Sequence, residues 1–297
     1  MSIGSLLLAK RVTATAGLLV AGMSVAHLLG ADRMSVAEVL ERHAAALGDA
    51  GRWRSHQSVL AEGTCRLDLI VGGSGTLLGT ARFVAQGEAA ALRLEFADPQ
   101  YAGEVAVFDG KRYDVGYASP GQRSPLGWFL LSYGEILKQG LVGGVISPRW
   151  PILRREEGEA KRLKSRGLTS TEGERWWRLD YRPRRVPSEL EIKLYFDPET
   201  FRLVKTEYEA EQSSGIGPLM DDSRDSVPGE AARRDVRLKL EELYSDFQET
   251  AGLVLPHRWL LRYTQDRGNA TSIWQWAVEW RQIRFDVPVD PAEFQLR

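Results

Sequence analysis

Trp274-Gln275-Trp276-Ala277-Val278-Glu279-Trp280-Arg281-Gln282-Ile283-Arg284-Phe285 is the stretch that decides how this chain is read. Large apolar side chains take every second position from Trp274 to Trp280, the period of a strand that buries one face. Past Trp280 the apolar parity flips to Ile283, Phe285 and Val287. A β-bulge near Arg281 or Gln282 accounts for the flip, because one extra residue returns the apolar side chains to the same face.

The same period recurs on both sides of this stretch. Cys65, Leu67, Leu69 and Val71 alternate with Arg66 and Asp68, while Leu255, His257, Trp259, Leu261 and Tyr263 repeat the pattern later. Gly72-Gly73-Ser74-Gly75, Asp109-Gly110 and Asp197-Pro198-Glu199-Thr200 supply turns between consecutive runs, and Asp-Gly between apolar flanks is a strong hairpin signal. By pattern there are about a dozen strands, and no helix alternates with them, which excludes parallel βαβ units. The expected fold class is mainly β with a few helices. So many strands exceed what a flat open sheet tolerates, so the antiparallel sheet should curl into an unclosed β-barrel, one domain over residues 32–297. Glu211 to Arg234 lacks periodicity and reads as a long polar loop between hairpins.

Two segments leave the period of two. Val36, Val39, Leu40, Ala44 and Leu47 follow helical spacing, with Ser35 and Glu38 placed as a capping box and Gly48 as a stop, which predicts an N-terminal amphipathic helix. His43, near its end, reads as a rim residue. Between Pro125 and Pro148, Phe129, Tyr133, Ile136, Leu137 and Leu141 fall on one helical face. This insertion is either a plug in one barrel mouth or a lid loosened by Gly134, Gly140, Gly143 and Gly144.

Lys10-Arg11 precedes an apolar run from Val12 to Leu29, and Ser24-Val25-Ala26 offers a cleavage site, the layout of a secretory signal in residues 1–31. An uncleaved anchor is the rival. The periplasm is the expected location. Net charge is -1, from 39 basic and 40 acidic residues spread along the chain, which excludes the broad positive field a nucleic acid requires. Cys65 is the only cysteine, so no intrachain disulfide forms, and its strand position reads as packing. His43, His56 and His257 stand far apart, and no nucleophile elbow, P-loop or dinucleotide fingerprint occurs; no metal, no cofactor and no catalysis are expected. The stretch from Arg149 to Arg166 alternates sign and forms either a solvated loop or a face toward anionic headgroups.

Leu40-Glu41-Arg42-His43-Ala44-Ala45-Ala46-Leu47-Gly48, Phe108-Asp109-Gly110, Phe196-Asp197-Pro198-Glu199-Thr200, Gly252-Leu253-Val254-Leu255-Pro256 and Val289-Asp290-Pro291-Ala292-Glu293-Phe294 occur in an order and spacing that resembles the periplasmic LolA/LolB-like lipoprotein-carrier superfamily. The resemblance implies an unclosed barrel with a helical lid, an apolar cavity sheltering acyl chains, and service as a carrier or sensor. An envelope protein partner is also implied. From the residues alone, the expected ligand-binding set is Phe129, Ile136, Leu137 and Leu141 on the insertion with Trp274, Trp276 and Trp280 on the strand. A filled barrel with a structural role, or an enzyme with an inconspicuous site, are the alternatives.

Overall fold

The computed structural model describes residues 33–72, 74–154, 159–171, 173–212 and 236–296. The expected signal segment lies outside the described residues, as does the polar loop apart from Glu211 and Gln212, which belong to a strand.

Among the described residues the chain forms one sheet of twelve antiparallel strands. The first half supplies β1 (Ser58–Val71), β2 (Gly75–Gln86), β3 (Ala89–Phe96), β4 (Gly103–Phe108) and β5 (Tyr113–Val115). The second supplies β6 (Leu163–Thr171), β7 (Glu174–Tyr181), β8 (Glu191–Phe196), β9 (Leu203–Gln212), β10 (Val236–Thr250), β11 (Leu253–Asp266) and β12 (Thr271–Phe285). The spatial order is β5-β4-β3-β2-β1-β12-β11-β10-β9-β8-β7-β6, so each half is a simple meander and the two are sewn together where β1 meets β12. β5 and β6 are both free edges. The sheet is curled and open, as the strand count predicts.

The bulge falls where the parity flip puts it. Glu62 pairs with Gln282 and Gly63 with Trp280, leaving Arg281 as the extra residue, and Ile283 returns to the core. Gly63 is required opposite that bulge, since a Cβ there would lie 2.0 Å from the Glu279 carbonyl oxygen. Asp109-Gly110 closes the β4–β5 hairpin, with the Asp109 carboxylate accepting from the amides of Lys111 and Arg112.

Helix α1 (Val36–Ala46) carries the full capping box: the Ser35 hydroxyl accepts from the Glu38 amide, and the Glu38 carboxylate accepts from the Ser35 amide. A short helix α2 (Ala50–Ser55) follows and buries Trp53. α1 lies against the β6 end of the sheet, where the Ser165 hydroxyl donates to the Met34 carbonyl.

His43 is not the rim residue its helix position suggested. It is fully buried, with Trp150 and Phe196 edge-on at ring distances of 5.3 and 5.0 Å, and its Nδ1 lies 2.8 Å from the Phe201 carbonyl oxygen. A carbonyl only accepts, so Nδ1 carries the proton. A second departure is on the outer face. Arg93 lies between the core residues Leu92 and Leu94, an outward strand position, but is itself buried, because the C-terminal segment folds back and caps it through the carbonyls of Glu293 and Gln295. Phe294 packs there on Leu60, Val84, Ala91 and Val107, forming a small second core.

Burial pushes the His43 pKa down from 6.5 to about 4, so the folded state holds it neutral. Stability from this group is complete above pH 6.5 and lost as pH falls toward 4, by about 3 kcal/mol for a shift of this size. In His43→Phe, chemical denaturation from pH 7 to pH 4 should therefore lose less stability than in the native protein; an identical slope in the two would contradict the neutral, buried assignment.

Candidate functional site

The topology dictates where a site forms. After β5 at one free edge, the chain must reach β6 at the other, and the described residues of that connection, 116–154 and 159–162, include the segment that covers the inner face of the sheet. The crossing is built from short pieces: α3 (Pro125–Ser132), α4 (Glu135–Lys138), a 3-10 turn at Gly144–Ile146 and α5 (Pro151–Arg154). A continuous helix between Pro125 and Pro148 is thus replaced by a folded path. Gly140 and Gly143 adopt φ of +72° and +85°, conformations open to glycine and costly to other residues, and they turn the chain between the pieces.

The structure brings the seven sequence-predicted residues into one core cluster. Trp276 and Trp280 project inward from β12, and Trp280 stacks on Trp259 of β11 at 5.8 Å. Trp274 is half-buried at the start of β12, its ring 5.8 Å from Tyr263. Phe129 of α3 sits 5.6 Å from that same Tyr263, so crossing segment and sheet meet through these rings. Ile136, Leu137 and Leu141 are buried alongside, each 1% exposed or less, so the inner face is filled by the segment's own side chains.

The attachment of this segment differs from that of a strand. Among the described residues, the backbone-to-backbone hydrogen bonds from Ser124 to Arg154 stay within the segment. It is tied to its surroundings through side chains: the Tyr113 hydroxyl donates to the Leu130 carbonyl at 2.6 Å, the Trp53 indole to the Val145 carbonyl at 3.0 Å, and Arg149 pairs with Glu88 at 3.1 Å.

Two buried carboxylates, which the sequence reading did not single out, complete the joint. Glu242 on the inner face of β10 accepts from the Gly143 amide (2.8 Å) and from the hydroxyls of Tyr208 (2.7 Å) and Tyr244 (2.8 Å). Glu104 on the inner face of β4 accepts from the Tyr101 hydroxyl at 2.5 Å and from Ser124, the N-cap of α3. Tyr101 in turn accepts from the Trp276 indole at 3.0 Å, linking Glu104 to β12. Burial raises each carboxyl to about 7, against hydrogen bonds that favour the anion. Enclosed by hydroxyls and amides, both act as clamps between sheet and crossing segment. Sequence alternation held one signal of them: Glu242 occupies the parity of Leu240 and Tyr244, an inward charge on a core face. Cys65 also faces inward, buried, its thiol pushed up to about 12 by burial, which fits packing.

The outer face carries a groove of about 790 Å³. Leu243, Leu260 and Ala277 form adjacent register partners along its floor, with Trp176, Tyr195 and the exposed Leu78 also lining it. The same row ends on β9 at Lys205, the register partner of Leu243, and its ammonium bridges Glu207 (2.9 Å) and Glu241 (2.8 Å) of the next outward row. No group of three or more His, Cys, Asp or Glu among the described residues is arranged to hold a metal ion, and no described helix is long and apolar enough to cross a membrane.

No family model matches this sequence, and no curated protein sequence does. Solved structures of the LolA superfamily align with most of the chain. A LolA superfamily protein from Nitrosomonas europaea covers 89% of this chain and 99% of its own at 12% identity, with a TM-score of 0.44. A putative outer membrane lipoprotein-sorting protein domain from Vibrio parahaemolyticus covers 83% of this chain and 95% of its own at 12% identity, TM-score 0.41. The MucA/MucB complex of Pseudomonas aeruginosa aligns over 81% of this chain and 100% of its own at 14% identity, TM-score 0.21.

Glu242 makes the joint pH-dependent in a defined direction. Its folded pKa is raised from 4.5 to about 7, so its contribution is complete below 4.5 and lost as pH rises to 7, about 3 kcal/mol in all. Glu242→Gln should flatten the fall in stability between pH 4.5 and 7. Hydrogen exchange of residues 124–154, corrected for intrinsic rates, should quicken with pH in the native protein and less steeply in the variant, where Glu104 alone remains to titrate. Equal pH dependence in both would show that Glu242 is not the clamp.

Proposed function

We propose that this chain is a non-catalytic protein of the cell envelope that holds an apolar ligand, an acyl chain or a similar molecule, between the inner face of its open sheet and the crossing segment. One observation carries the reading: the roof over a strongly apolar, aromatic sheet face is a glycine-jointed segment that, among the described residues, shares no backbone-to-backbone hydrogen bond with the sheet and is held to it by side chains. A roof of that kind lifts without breaking a strand ladder, and apolar concave faces of curled sheets are a common geometry for ligand sites. The state described is then the closed one, in which Phe129, Ile136, Leu137 and Leu141 occupy the place an acyl chain takes on opening. Trp274, Trp276 and Trp280 form the floor. The ligand-holding role includes carrying or sensing a lipoprotein or lipid, with residues 1–31 directing the chain to the periplasm.

A second reading, a protein partner of the envelope seated on the outer face, is favoured by the outward apolar row of Leu243, Leu260 and Ala277, since outward strand positions are ordinarily polar.

The first reading is tested with delipidated protein and a fluorescent fatty-acid probe. Saturable binding is expected, weakened about tenfold or more by Trp276→Ala and little changed by Trp177→Ala, a buried indole on β7 that serves as control for lost stability. Hydrogen exchange should place the opening of residues 124–154 well below global unfolding, with probe binding altering it. A wild-type protein that binds no probe leaves the partner reading in its place.

A further inference from the structure

The cations near the end of the crossing segment are not used by the joint or by the apolar floor. Lys161 and Arg162 lie in the 3-10 turn Ala160–Arg162 that leads directly into β6, and Lys164 and Arg166 follow on that free edge strand. Arg178 and Arg182, on or just beyond β7, and Lys193 of β8 bring cations from the two neighbouring strands to the same place. All seven line one pocket of about 530 Å³, against two acidic side chains, Asp180 and Glu191. The surplus is five positive charges in one cavity, 7 minus 2, on a chain whose whole net charge is -1.

Register explains the convergence. Lys164 pairs with Asp180 and Asp180 with Lys193, so these three form one row across the outer face of β6, β7 and β8. An irregularity between Ser165 and Gly167 leaves Arg166 as the extra residue on the edge strand, and it reaches the same carboxylate as Arg178. Asp180 is engaged through the Nε of both arginines, leaving their Nη groups outside that contact. Lys193 is committed to Glu207 at 3.0 Å and Arg162 to Glu159 at 3.4 Å. Lys161, Lys164 and Arg182 are exposed and have no acidic partner among the described residues.

Charges on a free sheet edge discourage strand addition, a role that Lys164 and Arg166 suffice to fill. That role does not call for Lys161, Arg178, Arg182 and Lys193 around a common cavity. Forked guanidiniums beside ammonium groups are the donor set that recognises phosphate oxygens.

We propose that this pocket on the outer face of β6–β8 is a binding site for a phosphate group, either free or carried on the headgroup of an anionic lipid. Lys161, Lys164 and Arg182 supply its uncompensated charge, while Arg166 and Arg178, held side by side by Asp180, supply forked donors. The site is distinct from the apolar one and stands independently of it.

The test uses the whole chain with two probes: inorganic phosphate or pyrophosphate followed by calorimetry, and sedimentation with vesicles of phosphatidylglycerol in phosphatidylcholine against phosphatidylcholine alone. The native protein should bind at least one anionic probe and ignore neutral vesicles. Binding of free phosphate assigns a soluble anion, and binding of anionic vesicles alone assigns a lipid headgroup. Lys161→Gln/Lys164→Gln/Arg182→Gln should weaken binding to anionic vesicles about a hundredfold at low salt, on the usual worth of three surface cations. The control Lys111→Gln/Arg112→Gln/Arg267→Gln removes the same charge from exposed positions elsewhere and should cost little. An equal loss in the control would reduce the effect to net charge and overturn the site. So would a native protein that binds neither anionic probe, with the triple variant merely more prone to aggregate, which is the mark of edge protection alone.

Discussion

The pairing of β1 with β12 governs the rest of the molecule. Because the first and last strands meet in the middle of the sheet, the two meanders grow outward from that seam and leave β5 and β6 at opposite edges. The chain between them has one economical route, across the concave side, and it must be apolar because the face beneath it is. A curled sheet with an apolar inner face is unstable in water until something covers it, and here the covering is supplied in cis by a segment that topology had to place there in any case. Edge strands, filled interior and a roof distinct from the walls all follow from that seam.

The covering is fastened by polar groups in an apolar setting, which has consequences for how it responds to conditions. An unpaired buried carboxyl would cost several kcal/mol, yet Glu104 and Glu242 are retained and surrounded by hydroxyl and amide donors, so each marks a place where sheet and segment are held in register. Their protonated forms favour the closed state at low pH, whereas His43, buried between Trp150 of the segment and Phe196 of β8, favours the folded state at high pH. Between pH 4.5 and 6.5 the His43 slope offsets one of the two carboxylates and leaves the other uncompensated.

Much of this was legible in the sequence because strands announce themselves by parity. The alternation through Trp274 to Phe285 gave the long inner strand, its bulge at Arg281 and the inward direction of the tryptophans, and Asp109-Gly110 gave a hairpin, since these are local properties of pattern and turn chemistry. What the pattern could not carry is which surface lies against a polar-faced strand. Arg93 reads as solvent-facing until the C-terminal segment closes over it. Glu104 sits in a run too short to fix its parity. His43 has the same spacing from Leu47 whether the helix lies at a rim or in a core. The crossing segment misled for a different reason: its apolar spacing fits a helix, but Gly140 and Gly143 break the path, and most of its side chains are buried because sheet lies on one side and α1 and α2 pack against its far end. The outer groove and basic pocket depend on register across several strands, information absent from any one stretch.

A filled inner face is compatible with ligand holding on energetic grounds. Each methylene of an acyl chain withdrawn from water contributes about 0.8 kcal/mol, so a dozen contribute on the order of 10 kcal/mol before the costs of ordering and association. Against this, opening exposes the buried side chains of Phe129, Ile136, Leu137 and Leu141, each worth about 1.5–3 kcal/mol when fully exposed. The two amounts are of similar size, and a ligand that slides beneath the segment keeps part of each side chain covered. The exchange is therefore near balance: the closed state persists without ligand, and modest differences in chain length or in the state of Glu242 shift the population between states. A rigid empty cavity would bind more tightly but would expose its apolar walls whenever it was vacant, a cost that a roof supplied in cis avoids.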